Sequence, residues 1–472
     1  MFDALQRNAD SIRTYGARHE QGCGYMAFGY ARATGRPGVF SVVPGPGVLN
    51  TTAALCTAMG CNAPVLCLTG QVPSAFMGKG RGHLHEIRDQ LGTLDTLVKW
   101  TARIERPADA PEIINEAFVQ MLSGRPGPVA VEMAWDTMAW RQTVPTPRAA
   151  TLPPPPKPIA SDIAGAVKLL KDAHNPMIFV GSGAQHAAEP IRELALAIGA
   201  PVAAFRGGRG IVPEDELLGA SAYQAWKLWQ DCDAVIGIGT RLELPYMRFN
   251  GMMTHVERPE APPHVIRIDI DPAEMHRLRP HAAIVADAAE GTRALHQALE
   301  EDAKQTTGAP LTGASELRAA AIAKVKAEAL DEIAHVQPQM DYLAALRDAI
   351  PDNGVLVTEV NQISFASYMN YPVKAPRTYI TEGFQGNLGF GFPSALGVKV
   401  ARADVPVVSI AGDGGFMYAV QELATAHQEQ IALITVVFNN GAFGNVLRDQ
   451  QMRFDNRVIG STLTNPDFIA LA

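Results

Sequence analysis

The sequence predicts an α/β protein built from three doubly wound parallel-sheet domains. A chain of 472 residues is too long for one hydrophobic core, and a typical domain size of about 150 residues suggests three. In each third, short β-branched runs alternate with helical patterns, as in GVFSVV, NTTAALCTAMG and APVLCLTG within residues 38–70. This alternation is typical of parallel strands joined by helical crossovers.

Two segments are interpreted as connectors between these domains. Residues 143–158, TVPTPRAATLPPPPKP, are rich in proline, and residues 306–315, TTGAPLTGAS, are small, polar and without pattern. Three domains are therefore predicted, and their ranges are 1–145, 158–305 and 335–472.

Composition and charge limit the class of protein. The chain is 47% hydrophobic and 19% charged, as in ordinary globular proteins, and its net charge of -8 argues against a nucleic-acid partner. Its 5 cysteines include no CxxC pair, which favours a reducing compartment. The sequence has no apolar run of about 18 residues and no convincing leader at MFDALQRNADSIR. We expect a soluble cytoplasmic protein with no membrane partner.

A lone carboxylate in a glycine-rich turn follows one predicted strand of the last third. In SIAGDGGFMY, residues 409–418, Asp413 comes directly after an apolar run, and Asn440 closes the next predicted strand. Ligands of parallel α/β sheets bind beyond the carboxyl ends of the strands, and oxygen-bearing side chains there suit Mg²⁺ bridged to phosphate. Backbone N–H groups can approach a ligand closely at the neighbouring glycines, Gly412, Gly414 and Gly415. The alternative is that Asp413 caps a helix and the asparagines form a turn.

The spacing of these residues resembles the thiamine diphosphate motif, in which GDG precedes an asparagine pair. Here GDG occupies 412–414 and the pair 439–440, so 24 residues, 415 to 438, lie between them. The resemblance implies that Asp413, Asn440 and the backbone carbonyl of Ala442 bind Mg²⁺.

A second resemblance lies near the start of the chain. RHEQGCGYMAFGYARATGRPGVFSVVPGPG, residues 18–47, is similar to the pyrimidine-binding domain of the acetolactate synthase and decarboxylase branch of thiamine diphosphate enzymes. The resemblance implies that Glu20 contacts N1′ of the cofactor's aminopyrimidine and supports removal of the thiazolium C2 proton. Without the resemblance, Glu20 is read as a glutamate stabilised by a helix N-terminus.

A third resemblance covers TEGFQGNLGFGFPSALG, residues 381–397. In the family this segment bends the cofactor, which implies that Leu388 is the apolar wedge and that the Gly386 carbonyl accepts a hydrogen bond from the 4′-amine. The preceding TEVNQIS aligns with a segment that contacts the diphosphate, so Asn361 and Gln362 are further candidates. The alternatives are packing for Leu388 and an ordinary turn at 361–362.

The remaining cofactor-pocket candidates are two residues that follow the GDG turn. Phe416 and Met417 are interpreted as lining the cofactor pocket, with the hydrophobic core as the alternative.

The chain departs from acetolactate synthases in one loop of the first domain. Where those enzymes carry Phe-Gln-Glu, this chain has Leu84, His85 and Glu86, preceded by His83. Histidines exchange protons near neutral pH, so His83 and His85 are candidate acid–base residues on the substrate side, or solvated loop imidazoles.

Two further features differ from the family pattern. IFVGSGA, residues 178–184, is a weak dinucleotide motif, and FAD, which some relatives bind in the central domain, has no clear support. From the family pattern we expect the first domain to be without its usual opening strand and the last domain to be without its usual final strands.

These patterns together predict a thiamine diphosphate- and Mg²⁺-dependent enzyme that decarboxylates a 2-oxo acid with carboligation, as acetolactate synthases do. The alternatives are a non-ligating decarboxylase of the benzoylformate or oxalyl-CoA type and, less favoured, a catalytically silent binding or regulatory paralogue. A nicotinamide dehydrogenase is not favoured, because it requires a GxGxxG motif that this sequence does not clearly contain. The resemblance also implies a homodimer or homotetramer whose active sites are shared between subunits.

Overall fold

The computed structural model describes residues 1–243, 262–276, 280–307, 311 and 313–472. Part of the connector predicted at 306–315, namely 308–310 and 312, lies outside the described residues. The strands are β1 (Gly38–Val42), β2 (Val65–Gln71), β3 (Trp100–Ile104), β4 (Val129–Ala134), β5 (Pro176–Val180), β6 (Val202–Ala203), β7 (Gly219–Ala220), β8 (Ala234–Ile238), β9 (His264–Asp269), β10 (Ala282–Val285), β11 (Val355–Thr358), β12 (Tyr379–Ile380), β13 (Val407–Gly412) and β14 (Ile434–Phe438).

Helices separate most of these strands along the chain. They are α1 (Phe2–Arg7), α2 (Glu20–Thr34), α3 (Pro46–Asn50), α4 (Thr52–Gly60), α5 (Gln90–Asp95), α6 (Ala110–Leu122), α7 (Trp135–Ala139), α8 (Ala160–Lys171), α9 (Ala188–Ile198), α10 (Ala222–Trp229), α11 (Ala288–Thr307), α12 (Glu316–Ile333), α13 (Gln339–Ala349), α14 (Gln362–Asn370), α15 (Gly391–Ala401), α16 (Asp413–Phe416), α17 (Glu422–Gln428), α18 (Gly444–Arg453) and α19 (Phe468–Leu471).

The chain forms two compact units. The first unit contains residues 1–121, 127–149 and 385–472, and the second contains 122–126 and 150–384. The predicted three-domain boundaries stay a prediction. In the described part of the chain, no helix is both long enough and apolar enough to cross a bilayer.

The first unit contains a parallel sheet of order β1-β2-β4-β3 and a second parallel pair, β13 with β14. In that pair Gly412 lies opposite Phe438, so the loops after both strands leave the same sheet edge side by side. This register brings Asp413 and Asn440 within reach of each other, as the sequence predicted.

Helices α2 and α15 pack backbone to backbone inside the first unit. A Cβ on Gly29 of α2 would lie 2.0 Å from the Ser394 carbonyl oxygen, and one on Gly397 of α15 would lie 1.9 Å from the Met26 carbonyl oxygen. Only glycine permits this approach. The packing joins the start of the chain to its last third.

The second unit contains a parallel sheet of order β10-β9-β8-β5-β6-β7, together with the parallel pair β11 and β12. The chain starts at β5, runs to one sheet edge through β7, and returns to β8 on the other side of β5, which is a doubly wound order. Every residue of β5 and β8 is buried, as expected for central parallel strands. The predicted α/β class is confirmed.

A buried ion pair lies in the core of the second unit. Glu214 accepts hydrogen bonds from Arg209 Nε (2.7 Å) and Nη2 (2.6 Å), and both residues are almost fully buried. Arg209 Nη2 also donates to the Tyr371 carbonyl (2.6 Å), and its guanidinium lies 4.2 Å from the centre of the Tyr379 ring. Glu214 also accepts a hydrogen bond from the backbone N–H of Val373 (3.2 Å).

Replacing Glu214 with alanine is expected to destabilise the protein by about 3–5 kcal/mol, because it leaves the Arg209 cation buried without its counter-ion. Urea unfolding of the full chain, followed by tryptophan fluorescence, measures the shift in the transition. The matched control is Asp215→Asn, which removes a neighbouring carboxylate that is 3.3 Å from Lys374 at the surface and should cost under about 1 kcal/mol. Equal shifts for the two variants would contradict the role of Glu214 as the buried counter-ion of Arg209.

Candidate functional site

Asp413 is the buried residue at the start of the loop after β13. It is 2% exposed and is the first residue of α16. Asn440 follows β14 and is exposed. One buried carboxylate therefore lies beside an amide that a ligand can reach.

Three polar groups converge at this position. The end of the Asn440 amide that faces Asp413 lies 3.2 Å from Asp413 Oδ1 and 3.0 Å from the Ala442 carbonyl oxygen. With its nitrogen turned inward, Asn440 donates to both oxygens. With its oxygen turned inward, the amide would instead offer a third oxygen to a bound cation.

The spacing of these oxygens fits magnesium. Octahedral Mg²⁺ binds oxygen at 2.0–2.1 Å, so neighbouring ligands in its shell are about 3 Å apart. Among the described residues no cluster of three or more His, Cys, Asp or Glu could hold a metal. Three oxygens would be few protein ligands for a divalent cation, and Mg²⁺ commonly completes its shell with phosphate oxygens and water.

Asn465 completes this arrangement and was not predicted from the sequence. Its Nδ2 donates to Asp413 Oδ2 (2.6 Å) and to Asn439 Oδ1 (2.9 Å). The segment before it runs antiparallel to the loop after β14, with Leu463 N–H donating to the Gly441 carbonyl (2.7 Å). Asn465 thus fixes one carboxylate oxygen of Asp413 and leaves the other directed at Asn440.

The glycines beside Asp413 have local structural roles. A Cβ on Gly414 would lie 2.6 Å from a ring carbon of Phe443, so this position needs glycine whether or not a ligand approaches it. Gly415 is buried inside α16, and its carbonyl accepts a hydrogen bond from the Tyr418 N–H (3.1 Å). The backbone N–H of Gly415 lies in the first turn of α16 and so has no acceptor within the helix. Contact of that N–H group with a diphosphate stays a prediction.

The two residues that follow these glycines differ in their exposure. Phe416 packs in the core with Phe392 and Phe468, at ring-centroid distances of 5.4 and 5.9 Å, which matches the alternative stated for it. Met417 is 37% exposed. Of the two, only Met417 has a side chain that a ligand could reach without displacing the core.

Glu20 is the first residue of α2. This position agrees with both of its interpretations, stabilisation of a helix N-terminus and a catalytic role. The preceding His19 caps the helix, with its Nδ1 accepting from the Gln21 N–H (3.1 Å). The Glu20 carboxylate is half-buried and accepts a hydrogen bond from Asn50 Nδ2 (3.0 Å) at the end of α3. Its second oxygen faces no hydrogen-bond donor that the described structure gives.

The loop that carries Gly386 and Leu388 is anchored to the N-terminal part of the chain. Asn387 Nδ2 donates to the Ala53 carbonyl (3.0 Å) and to Thr57 Oγ1 (2.7 Å) of α4. Gly386 has a φ of +63° and open space around it, and Leu388 is half-buried. The wedge and carbonyl roles of these residues stay predictions.

The two predicted histidines lie around an aromatic side chain that was not predicted. The His83 ring stacks on Phe76 at 4.9 Å and lies 6.3 Å from Trp135, and the His85 ring lies 5.9 Å from Trp135. Nδ1 of His85 is buried and has no hydrogen-bond partner within the described residues. Trp135 directly follows β4, and its position at a strand end is the signal that could have identified it.

The conformation of this histidine loop is fixed by backbone contacts. His85 has a φ of +69°, and a Cβ on Gly45 would lie 2.4 Å from its carbonyl oxygen. Glu86 accepts from the N–H groups of His83 (2.9 Å) and Gly80 (2.8 Å), and these bonds hold the pKa of the Glu86 carboxyl below its ordinary value. Gly45 is also the N-cap of α3, the helix that ends beside Glu20.

Asn361 and Gln362 belong to the second unit. Asn361 is the N-cap of α14: its Oδ1 accepts from the Ser364 N–H and its Nδ2 donates to the Glu359 carbonyl, both at 2.9 Å. Both polar atoms of its side chain therefore serve the local turn. Contact of these residues with a diphosphate stays a prediction.

The glycines of the weak dinucleotide motif have a structural explanation. A Cβ on Gly181 would lie 2.1 Å from the Gly239 carbonyl oxygen, and one on Gly183 would lie 3.1 Å from the Gly239 Cα. The ends of β5 and β8 therefore meet too closely for side chains at these positions. The motif consequently gives no support for FAD.

The site combines a cluster of oxygen-bearing groups at Asp413, Asn440 and Ala442, a glycine-rich turn and a half-buried glutamate, Glu20, on an α/β scaffold. Family models match the chain in three places: the N-terminal TPP binding domain of thiamine pyrophosphate enzymes over residues 1–93, the central domain over 163–295, and the C-terminal TPP binding domain over 359–472. The chain belongs to the thiamine pyrophosphate enzyme family, and its three α/β domains are those of that family.

Curated relatives include both branches named by the sequence resemblance. The chain is 32% identical to a probable 2-ketoarginine decarboxylase of Pseudomonas aeruginosa, over 98% of this chain and 81% of the relative. It is 34% identical to the acetolactate synthase isozyme 2 large subunit of Escherichia coli, over 96% of this chain and 81% of the relative. A probable acetolactate synthase large subunit of Methanocaldococcus jannaschii is 33% identical over 100% of this chain and 81% of its own length. The chain is thus similar to acetolactate synthases and to a 2-oxo acid decarboxylase.

Proposed function

We propose that this protein uses thiamine diphosphate and Mg²⁺ to decarboxylate a 2-oxo acid and to join the product to a second carbonyl compound, as an acetolactate synthase-like enzyme. The observation that carries the proposal is that the Asn440 amide lies 3.2 Å from Asp413 Oδ1 and 3.0 Å from the Ala442 carbonyl oxygen. Asp413 and Asn440 follow adjacent parallel strands, where such sheets bind ligands.

Each residue has a defined task in this proposal. Asp413, Asn440 and the Ala442 carbonyl hold the cation, and the backbone N–H groups of the turn at 412–415 face the diphosphate. When bound, thiamine diphosphate supplies the carbon nucleophile and accepts the electron pair released as CO₂ leaves. Glu20 shares a proton with the aminopyrimidine ring, and Leu388 supports the bent cofactor from below.

The second candidate function is decarboxylation without ligation, and the cluster of His83, His85 and Trp135 favours it. Imidazoles at the substrate side can supply a proton to the product carbon. The ring of Trp135 can also receive a cationic side chain through a cation–π contact, which is the chemistry that a guanidinium-bearing 2-oxo acid requires. The named activity of the Pseudomonas aeruginosa relative is consistent with such a substrate.

We also propose a cytoplasmic homodimer or homotetramer in which subunits share active sites. The support is the family resemblance alone. Light scattering of the purified protein at several concentrations tests the number of chains.

A substrate panel distinguishes the two functions. Purified protein is treated with EDTA, desalted, and incubated with pyruvate, 2-ketoarginine, benzoylformate or oxalyl-CoA, with and without thiamine diphosphate and Mg²⁺. We expect CO₂ release from at least one substrate only when both cofactors are present. Acetolactate or a mixed hydroxyketone supports ligation, whereas an aldehyde alone supports the second candidate. Turnover without cofactors would contradict both.

A further inference from the structure

Glu422 is a fully buried glutamate that the proposed chemistry does not use. It is the first residue of α17, in the first unit, and its side chain is 0% exposed. A buried carboxylate is costly unless hydrogen-bond donors surround it. Within the described part of the chain, no ion pair of Glu422 with a cationic side chain is found. Its role is therefore inferred from the neutral groups that donate hydrogen bonds to its carboxylate.

The donors come mainly from the backbone just before Glu20. Oε2 of Glu422 accepts from the Arg18 N–H (3.0 Å), and Oε1 accepts from the His19 N–H (2.9 Å). Thr425 Oγ1 donates to Oε2 at 2.5 Å from the next turn of α17. The carboxylate therefore binds two successive N–H groups at the entry to α2, one with each oxygen.

We call the two hydrogen bonds from the Arg18 and His19 N–H groups to Glu422 the clamp. Neighbouring contacts leave little space around it. A Cβ on Gly22 would lie 2.6 Å from Glu422 Oε1, so the first turn of α2 lies directly against the carboxylate. The Arg18 side chain does not pair with Glu422; its Nη2 donates to Gln428 Oε1 (2.7 Å) at the end of α17. Both ends of helix α17 therefore contact residues 18–22, with Glu422 at its start and Gln428 at its end.

Glu20 lies between the clamped residues. His19 directly precedes it and Gly22 follows two positions later. Within the described residues, the hydrogen bond found for its own carboxylate comes from Asn50 Nδ2. Helix α17 begins six residues after the end of α16, so one stretch of chain, residues 413–428, carries both Asp413 and the Glu422 clamp.

We propose that Glu422 is a positioning residue, which fixes the start of α2 so that the Glu20 carboxylate is presented to the cofactor's aminopyrimidine. This inference rests on the proposed thiamine diphosphate chemistry. Proton transfer depends steeply on geometry, since a misplacement of about 1 Å can cost about 100-fold in rate. Glu422 has no direct contact with substrate or cofactor in this role.

Glu422→Gln is the sharpest test, because glutamine has the same shape but only one accepting oxygen. One of the two clamped N–H groups then faces an NH₂ group and loses its partner. In the cofactor-free protein, we expect amide hydrogen exchange in the peptide containing Arg18 and His19 to become at least about 10-fold faster. In the holoenzyme, we expect kcat to fall about 10- to 100-fold, with KM and the Kd for thiamine diphosphate changed less than about threefold.

A double-mutant cycle separates positioning from a general structural role. If Glu422 acts through Glu20, the Glu20→Gln/Glu422→Gln double variant should be no slower than Glu20→Gln alone. Multiplied losses in the double variant would overturn the proposal, as would unchanged exchange at residues 18–19. The control is Asp404→Asn, which alters an exposed carboxylate 3.1 Å from Arg402 and should leave kcat within about twofold.

Two variants with smaller expected effects provide the test if Glu422→Gln does not fold. Thr425→Val removes one donor and keeps the carboxylate, and Gly22→Ala presses on the clamp from the α2 side. Both should show the same pattern with smaller losses, and normal kcat in both would overturn the proposal. The exchange measurement needs no cofactor, so faster exchange without any cofactor-dependent turnover would count against the proposed function and not against the clamp.

Discussion

Replacing Asp413 with alanine is expected to weaken binding of thiamine diphosphate in the presence of Mg²⁺ by about 100-fold or more, equivalent to about 2.7 kcal/mol. Asp413 is the one charged group among the three that converge there, so its loss leaves the cation an amide and a backbone carbonyl as protein ligands. The measurement is quenching of tryptophan fluorescence on titration with the cofactor at fixed Mg²⁺, together with the Mg²⁺ concentration needed for half-maximal activity.

Two further variants define what the Asp413 result means. Asn465→Ala removes the 2.6 Å bond to Asp413 Oδ2 but keeps the carboxylate, and residues that orient a metal ligand typically contribute about 10- to 100-fold. Asp455→Asn removes an exposed carboxylate of the same unit, and binding should not change. The structure does not support the capping alternative, because Gly412 is the N-cap of α16 and no side chain caps the helix. Tight cofactor binding by Asp413→Ala would show that the Asp413 carboxylate serves only the local structure, where it accepts a hydrogen bond from Asn465.

The parallel strands and the closeness of the proposed cation ligands could be predicted because they depend on local pattern and chain direction. An apolar strand followed by Asp413, and a second followed by Asn440, must place both at one sheet edge if the strands are parallel neighbours. The pairing of Gly412 with Phe438 fulfils that condition. Strand direction alone therefore located most of this cluster.

The residues that support the site could not be predicted in this way, because their partners are distant in the chain. Asn465 reaches Asp413 through an antiparallel contact of a short segment that has no apolar period. Glu422 binds backbone groups about 400 positions earlier, at Arg18 and His19. A backbone donor leaves no trace in the side-chain pattern, and so nothing near Arg18 indicates that a glutamate will bind it.

Some glycines and polar residues had local explanations that the motif interpretation did not weigh fully. Gly414 makes room for the ring of Phe443, and Gly415 is buried within the short helix that the turn begins. Asn361 caps a helix with both of its polar atoms. Such positions satisfy a functional motif and a packing requirement at once, and sequence alone does not separate the two.

Replacing Glu20 with glutamine is expected to lower kcat about 100- to 10,000-fold, the usual contribution of a positioned acid–base group, while the Kd for thiamine diphosphate stays within about threefold. Glutamine keeps the size of the side chain and can still accept the hydrogen bond from Asn50 Nδ2, now 3.0 Å from Glu20 Oε2. It cannot share a proton with the aminopyrimidine. The direct measurement is the rate at which the C2 proton of the bound cofactor exchanges with deuterium, which should fall in parallel with kcat.

The competing interpretation of Glu20 is stabilisation of a helix N-terminus, and Glu112 provides the matched control. Glu112 lies in the first turn of α6, as Glu20 does in α2, but no catalytic role is assigned to it. Each glutamine substitution should cost about 0.3–1 kcal/mol of stability through the helix dipole. Only Glu20→Gln should slow C2 exchange. Equal stability losses with normal exchange in both variants would leave Glu20 as a helix-stabilising residue and would move the search for the proton donor to another side chain.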